Sequence, residues 1–351
     1  MGALLCLGLT GLLAAQQPVV SPEPSDDARI IETFKFVHVP VTVTDRNGQI
    51  VSFLTTEDFH LLDNGRPQKI AEDIATRPIS LVVVVQANAE VEKILPQVRK
   101  IGPLLHLQVL GDDGEAALLA FDHRIQPLTD FTSDPDKITM AFKRLKAGSW
   151  TATLNDATLE AIAMLRRRPA NRRRAILLIT EARDKGSQIK AREVLTAADF
   201  ANVAIYSVDI SKVMASLTAT PQPPRPDLTP PGGKYMPMGN VNTPTTESQM
   251  AMGNWVPLIS DLFDATKGIF VANPAEIYTR YTGGRQYAFA KQGALDRAVS
   301  EIGAELRSQY MLTYLPNNME EAGFHTILVQ VARPDLKIRT RDGYYLAGKP
   351  R

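Results

Sequence analysis

A run of four valines, Val82 to Val85, places the strongest constraint on how this chain folds. The run stands in the stretch ISLVVVV, which is apolar at almost every position. A strand of this composition has both faces covered, as in parallel sheets with helices on either side. The polar stretch QANAE, which begins at Gln86, follows at once, and open α/β sheets bind ligands at such strand ends. The sequence therefore predicts an α/β sheet with a candidate site just after the valines.

Strand and helix patterns alternate over residues 77–308. Further apolar runs predict strands at EAALLAFD, RAILLIT and NVAIYSVDI, with RIQPLTDF as a short edge strand. Helical patterns lie between and after them, over residues 91–105, 134–146, 154–168, 189–201, 255–265, 275–281 and 294–308. This alternation predicts a doubly wound, mostly parallel sheet with helices on both faces.

Strand patterns with a period of two flank that α/β region on both sides. The N-terminal β segment, residues 33–76, contains the hairpin signals Asn47-Gly48 and Asn64-Gly65. The C-terminal β segment, residues 309–347, returns to the same alternation. The simplest packing joins the two segments in one small antiparallel β-sandwich, from which the α/β domain is inserted.

The N-terminus and one internal stretch carry no globular pattern. Residues 1–16 have the short apolar core of a secretory signal peptide and contain Cys6, the single cysteine. We expect residues 17–32 to be a disordered mature terminus and residues 218–252, rich in Pro, to be a flexible insertion. No second apolar stretch is long enough to span a membrane. These features predict an exported protein, periplasmic or extracellular. A net charge of +1 gives no reason to expect nucleic acid as a partner.

The ordered motifs resemble the von Willebrand factor A domain across residues 79–309. The flanking stretches VTVTDRNGQIVSFLTTEDFHLLDNGRPQKI, TGGRQYAF, ELRSQYMLTYLP and RTRDGYYL extend the likeness to the exported von Willebrand factor A-related proteins of acidobacteria. The resemblance implies a divalent cation at the sheet edge, the metal-ion-dependent adhesion site. In the family an Asp-x-Ser-x-Ser motif, a Thr and a further Asp hold that ion.

This chain departs from the family pattern at four of those five positions. The resemblance places them at Gln86, Asn88, Glu90, Thr151 and Glu181, and only Thr151 is the family's residue. One alternative is a cation held by Glu90, Thr151 and Glu181, with Ca²⁺ favoured over Mg²⁺ because its geometry is looser. The other alternative, which we favour, is a degenerate site in which a hydrogen-bonded polar cluster preserves the loop without metal or other cofactor.

The resemblance implies protein binding at the upper sheet edge. The expected contact residues are Gln86, Asn88, Glu90, Val91, Thr151, Glu181, Arg183 and Asp184. The alternative is a structural or assembly scaffold that binds through the β-sandwich or the Pro-rich insertion. We expect no enzyme, because no set of acid, base and nucleophile is recognisable.

The stretch RRRPANRRR, residues 166–174, carries six arginines. It is interpreted either as a basic patch for a polyanion or as a charged helix end followed by an exposed turn.

Overall fold

The valine strand occupies the middle of a six-stranded sheet. The structure, a computed structural model, describes residues 36–73, 77–181, 183–211, 273–289, 293–321, 323–333 and 335–346. The expected signal peptide, the mature N-terminus, the Pro-rich insertion and the helical pattern over residues 255–265 lie outside the described residues.

Fourteen strands are present in the described residues. They are β1 (Val37–Thr44), β2 (Phe59–Asp63), β3 (Arg66–Gln68), β4 (Ile70–Asp73), β5 (Ile79–Gln86), β6 (Glu115–Phe121), β7 (Ile125–Thr132), β8 (Arg173–Thr180), β9 (Val203–Asp209), β10 (Gln286–Ala288), β11 (Tyr310–Tyr314), β12 (Gly323–Val331), β13 (Lys337–Arg339) and β14 (Gly343–Leu346). The six-stranded sheet has the order β10-β9-β8-β5-β6-β7. All its pairs are parallel except that of β6 with the edge strand β7.

The α-helices that accompany these strands cover both faces of the sheet. They are α1 (Leu95–Val98), α2 (Gly102–Leu105), α3 (Pro135–Lys143), α4 (Leu154–Arg166), α5 (Ala191–Phe200), α6 (Pro274–Thr282) and α7 (Ala294–Ser308). Within the described residues, no helix combines the length and the apolar character needed to cross a lipid bilayer.

The prediction of a single helix over residues 91–105 is wrong. The chain instead forms a 3₁₀ turn at Ala89–Val91, the short helices α1 and α2, and a π-helical turn at His106–Leu110. Pro96 and Pro103 lie in the first turns of α1 and α2. A proline lacks the N–H that would continue a preceding helix, so each one starts a new segment.

Residues of β5 alternate between two apolar layers. Leu81, Val83 and Val85 pack with α3 and α7, whereas Val82 and Val84 pack with α4, α5 and α6. All five are at most 1% exposed, and burial of each side chain stabilises the fold by about 1.5–3 kcal/mol. The doubly wound α/β fold with helices on both faces is confirmed.

The flanking strands form two four-stranded antiparallel sheets. Their orders are β13-β1-β11-β4 and β14-β12-β2-β3, so each sheet combines strands from both ends of the chain. Apolar residues of both sheets share one core cluster. The β2–β3 hairpin turns through Asn64 (φ +48°) and Gly65 (φ +76°), the left-handed pair that a type I′ turn requires.

The arginine-rich stretch over residues 166–174 is mostly engaged in structural contacts. Arg168 donates to both carboxylate oxygens of Glu115, at 2.8 and 2.7 Å. The buried Arg173 donates to the side-chain oxygen of Gln309 at 2.6 Å, next to the end of α7. The expected charged helix end and exposed turn are therefore present, with Arg166 in the last turn of α4 and residues 169–171 exposed, but Arg168 and Arg173 also hold strands and helices together.

Candidate functional site at the carboxyl edge of the sheet

Strand register brings the first and the last of the expected site positions together. In the parallel pair of β5 and β8, Val85 lies opposite Ile179, so Gln86 comes next to Thr180 and Glu181. The chain continues from β5 to β6 on one side of the sheet, whereas β8 and β9 lie on the other side. The carboxyl ends of β5 and β8 therefore mark the topological switch point, where doubly wound sheets bind their ligands.

Gln86 and Asn88 form a chain of amides whose orientation is fixed at both ends. The backbone N–H of Glu181 donates to Gln86 Oε1 at 2.9 Å. Gln86 Nε2 then donates to Asn88 Oδ1 at 3.0 Å, and Asn88 Nδ2 donates to the carbonyl of Trp150 at 3.1 Å. A backbone N–H can only donate and a carbonyl can only accept, so neither amide can be turned around without losing a bond.

Three charged side chains meet beside these amides. The Lys185 ammonium contacts Glu90 Oε2 and lies 3.5 Å from Glu181 Oε2. The hydrogen bond from Lys185, against the opposing effect of burial, holds the pKa of Glu90 below its usual value. The two glutamates that the sequence singled out are thus brought together, and a lysine that the sequence analysis did not single out joins them.

The loop after β8 is fastened to the N-terminus of α4. Ser187 Oγ donates to Asp184 Oδ1 at 2.5 Å and accepts the Asn155 N–H at 3.0 Å. The Asp184 carboxylate also accepts the Asn155 N–H at 3.3 Å. An acidic group at a helix N-terminus satisfies unpaired N–H groups and interacts favourably with the helix dipole. Gly186 in the same loop lies against the methyl group of the half-buried Thr151.

Asp122 is a structural residue of the site that the sequence analysis missed. It follows β6, is 1% exposed, and accepts the backbone N–H groups of Arg124 (2.7 Å) and Ser149 (2.9 Å). Burial opposes its ionised form, but these hydrogen bonds hold the pKa of Asp122 below its usual value. The available signal was a carboxylate directly after a buried strand, one residue beyond Phe121, which lies opposite Gln86 at the end of β5.

Burial corrects the expected contact edge. Gln86 is 1% exposed and Asn88 and Val91 are each 0% exposed, so a partner cannot reach their side chains. Asp184 is half-buried and turned toward α4. Of the expected contact residues, a partner can reach Arg183, which is exposed, and part of Glu90, Thr151 and Glu181, which are half-buried. The sequence analysis also missed Trp150, whose side chain is 73% exposed.

The donor set does not fit the divalent cation that the family resemblance implies. Such ions need about six or more oxygen ligands around one point, but Gln86 Oε1 and Asn88 Oδ1 already accept N–H bonds within the protein. The Lys185 ammonium lies between the two available carboxylates. Among the residues that the structure describes, no group of three or more His, Cys, Asp or Glu side chains is placed to hold a metal ion.

Comparisons with known proteins give a likeness of fold. No family model and no curated protein matches the chain. The chain is similar to the crystal structure of an aerotolerance-related membrane protein from Bacteroides fragilis, with 11% identity over 65% of this chain and 99% of the other and a TM-score of 0.38. The chain is also similar to the conserved hypothetical protein BatB from Bacteroides thetaiotaomicron, with 12% identity over 65% of this chain and 98% of the other and a TM-score of 0.39.

A third similar structure is the VWA domain of SpRpn10, with 14% identity over 37% of this chain and 74% of the other and a TM-score of 0.31. Because all three scores are below 0.5, the fold class rests on the strand order described above.

Proposed function

We propose that this chain is an exported, non-enzymatic interaction module that binds a protein partner at the carboxyl edge of its α/β sheet. The edge patch, as we call it, consists of Glu90, Trp150, Arg183 and Lys185. The proposal combines the resemblance to von Willebrand factor A domains with the position of this patch at the topological switch point.

Trp150 is the observation that carries the proposal. Its side chain is 73% exposed, although the backbone beside it is held firmly: the Trp150 carbonyl accepts from Asn88, and the preceding Ser149 N–H donates to Asp122. Tryptophan and arginine are enriched among the residues that dominate binding energy at protein interfaces. Because the backbone is already fixed, binding orders only the tryptophan side chain, which favours affinity.

Charge complements the aromatic surface of the edge patch. Lys185 is already paired with Glu90 and Glu181, so these three groups add polarity without a large net charge. Arg183 is exposed and supplies the cation best suited to bidentate contact with a partner carboxylate. The patch therefore suits a protein surface that offers an apolar cleft with an acidic rim.

Site-specific photocrosslinking tests the proposal directly. A photoreactive phenylalanine analogue is placed at position 150 of the full chain, and an identical label at the exposed Arg167, at the opposite end of α4, serves as the control. We expect an adduct from position 150 alone, and Trp150→Ala should weaken the captured complex by about thirtyfold, equivalent to about 2 kcal/mol. Equal adducts from both positions, or an unchanged affinity, would contradict binding at this edge.

Export is tested separately, because residues 1–16 lie outside the described residues. Chains with and without these residues should differ in location, with only the longer one reaching the exported fraction in a processed form. An unprocessed chain that stays inside the cell would contradict this part of the proposal.

One observation favours the scaffold alternative. Phe53, in the N-terminal β segment, is 94% exposed, and Leu328 of β12 is 53% exposed. Contiguous exposed apolar surface marks protein contact sites, and both residues belong to the flanking β segments. A photocrosslinker at position 53 that captures a partner while position 150 captures none would favour binding through the sandwich strands.

A further inference from the structure

We propose that the Lys185 ammonium takes the structural place of the divalent cation at this sheet edge, so that a tethered side-chain charge joins the two loops that a metal would otherwise join. The inference concerns how the edge is held together, and it does not depend on the proposed binding function.

The two carboxylates of the site belong to different loops, and Lys185 contacts both of them. Glu90 belongs to the loop after β5 and Glu181 follows β8, and these strands are neighbours at the switch point. A positive charge between the two carboxylates holds both loops and relieves the repulsion between them. Lys185 occupies that position, with its ammonium in contact with Glu90 and 3.5 Å from Glu181.

The backbone at Lys185 is held in place. Its N–H donates to the Ala152 carbonyl at 2.9 Å. On its N-terminal side, Asp184 is bonded to Ser187 and to the N-terminus of α4. The ammonium is therefore presented by a fixed loop. A single exposed ion pair contributes little, but one charge that serves two carboxylates from a fixed position contributes more.

The side-chain amides of Gln86 and Asn88 are oriented against cation binding. A cation would need neutral oxygens from positions 86 and 88, yet both amide oxygens point to N–H groups within the protein. The hydrogen that faces Glu90 comes from Asn88 Nδ2, at 3.4 Å. The groups that face Glu90 are therefore N–H donors. Such donors stabilise a carboxylate directly, and they cannot act as ligands of a metal cation.

Paired lysine variants of the full chain test the inference. Lys185→Met removes the ammonium but keeps the aliphatic stem, Lys185→Arg keeps the charge, and Lys146→Met removes an exposed lysine outside the cluster. We expect Lys185→Met to melt about 2 °C or more below Lys146→Met, and Lys185→Arg to recover at least half of that loss. Glu90→Gln should reduce the effect of Lys185→Met, since it removes one of the two carboxylates.

Titration with MgCl₂, CaCl₂ and MnCl₂ at millimolar concentration, against NaCl of equal ionic strength, completes the test. The unsubstituted chain should show no rise in Tm beyond the NaCl control. A rise that Glu181→Gln abolishes would overturn the inference, because the carboxylates would then bind metal despite the lysine. Equal melting of Lys185→Met and Lys146→Met would overturn it as well, because the ammonium would then hold nothing together.

Discussion

Replacing Gln86 with methionine should cost about 3 kcal/mol of unfolding free energy. Methionine has a similar volume and fills the buried position without leaving a cavity. It cannot reproduce the bonds to Asn88 Oδ1, to the Glu181 N–H and to the Thr180 hydroxyl. Each polar group that loses its partner in a buried environment costs about 1–3 kcal/mol. The three losses sum to about 3–9 kcal/mol, and we take the lower end, because Glu181 is half-buried and solvent can reach it.

Urea denaturation followed by far-ultraviolet circular dichroism measures this loss. Gln126→Met, at an exposed position on the edge strand β7, is the matched control and should change the free energy of unfolding by less than about 0.5 kcal/mol. If Gln86→Met cost under about 1 kcal/mol relative to this control, the amide chain would not be what ties the ends of β5 and β8 together.

Three further predictions concern other parts of the described chain. Burial, together with nearby arginines, lowers the pKa of His38 from 6.5 to about 4; its neutral form therefore stabilises the fold above pH 6.5, and this contribution is lost as the pH falls toward 4. At pH 5 the loss is about 2 kcal/mol, so the unsubstituted chain should lose that much more stability than His38→Gln between pH 7.5 and pH 5 in urea denaturation. Arg341→Met should cost about 3 kcal/mol in the same assay, because it leaves the Asp199 carboxylate buried without its guanidinium partner. Gly148→Ala should cost about 2 kcal/mol, since the new Cβ would lie 2.1 Å from Asp122 Oδ2.

Each of these predictions has its own control. Equal acid sensitivity of the unsubstituted chain and His38→Gln would contradict the first. Arg167→Met, at an exposed arginine of the same chain, should leave stability nearly unchanged, and a loss equal to that of Arg341→Met would contradict the second. In an Asp122→Ala background, Gly148→Ala should cost much less, because the clash is gone; an undiminished cost would point to a different cause.

The fold was largely predictable because its elements have strong periodic signals. The valines of β5 are apolar on both faces, and that pattern belongs to a parallel sheet covered by helices. The hairpin at Asn64-Gly65 was predictable because few residue pairs adopt two left-handed conformations in succession. The prediction of one helix after β5 failed because Pro96 and Pro103 divide a helical pattern that appears continuous from the apolar spacing alone.

The site was predictable in location but not in its interactions. Parallel strands end at the same edge, so Gln86 and Glu181 had to be near one another. The orientation of a side-chain amide depends on whether a backbone N–H or a carbonyl faces it. The loop conformations determine which group that is, and the sequence pattern does not predict them. Lys185 joins Glu90 from a position 95 residues away in sequence, and no periodic pattern indicates such a pair. Trp150 was visible in the sequence, but its exposure depends on the packing of the loop around it.

The interleaving of the two chain ends in the antiparallel sheets has a consequence for the order of folding. His38 of β1 bonds to Thr313 beside it on β11, although 275 residues separate them. Closing a loop of that length costs about 5 kcal/mol of chain entropy, and a folded α/β unit that brings residues 79 and 308 near each other removes most of it. The central sheet should therefore form first, with β1 unpaired and β2 paired only with β3 until the C-terminal strands β11 to β14 add to them. A chain cut before residue 310 would keep those open edges, which are sites for pairing with other molecules.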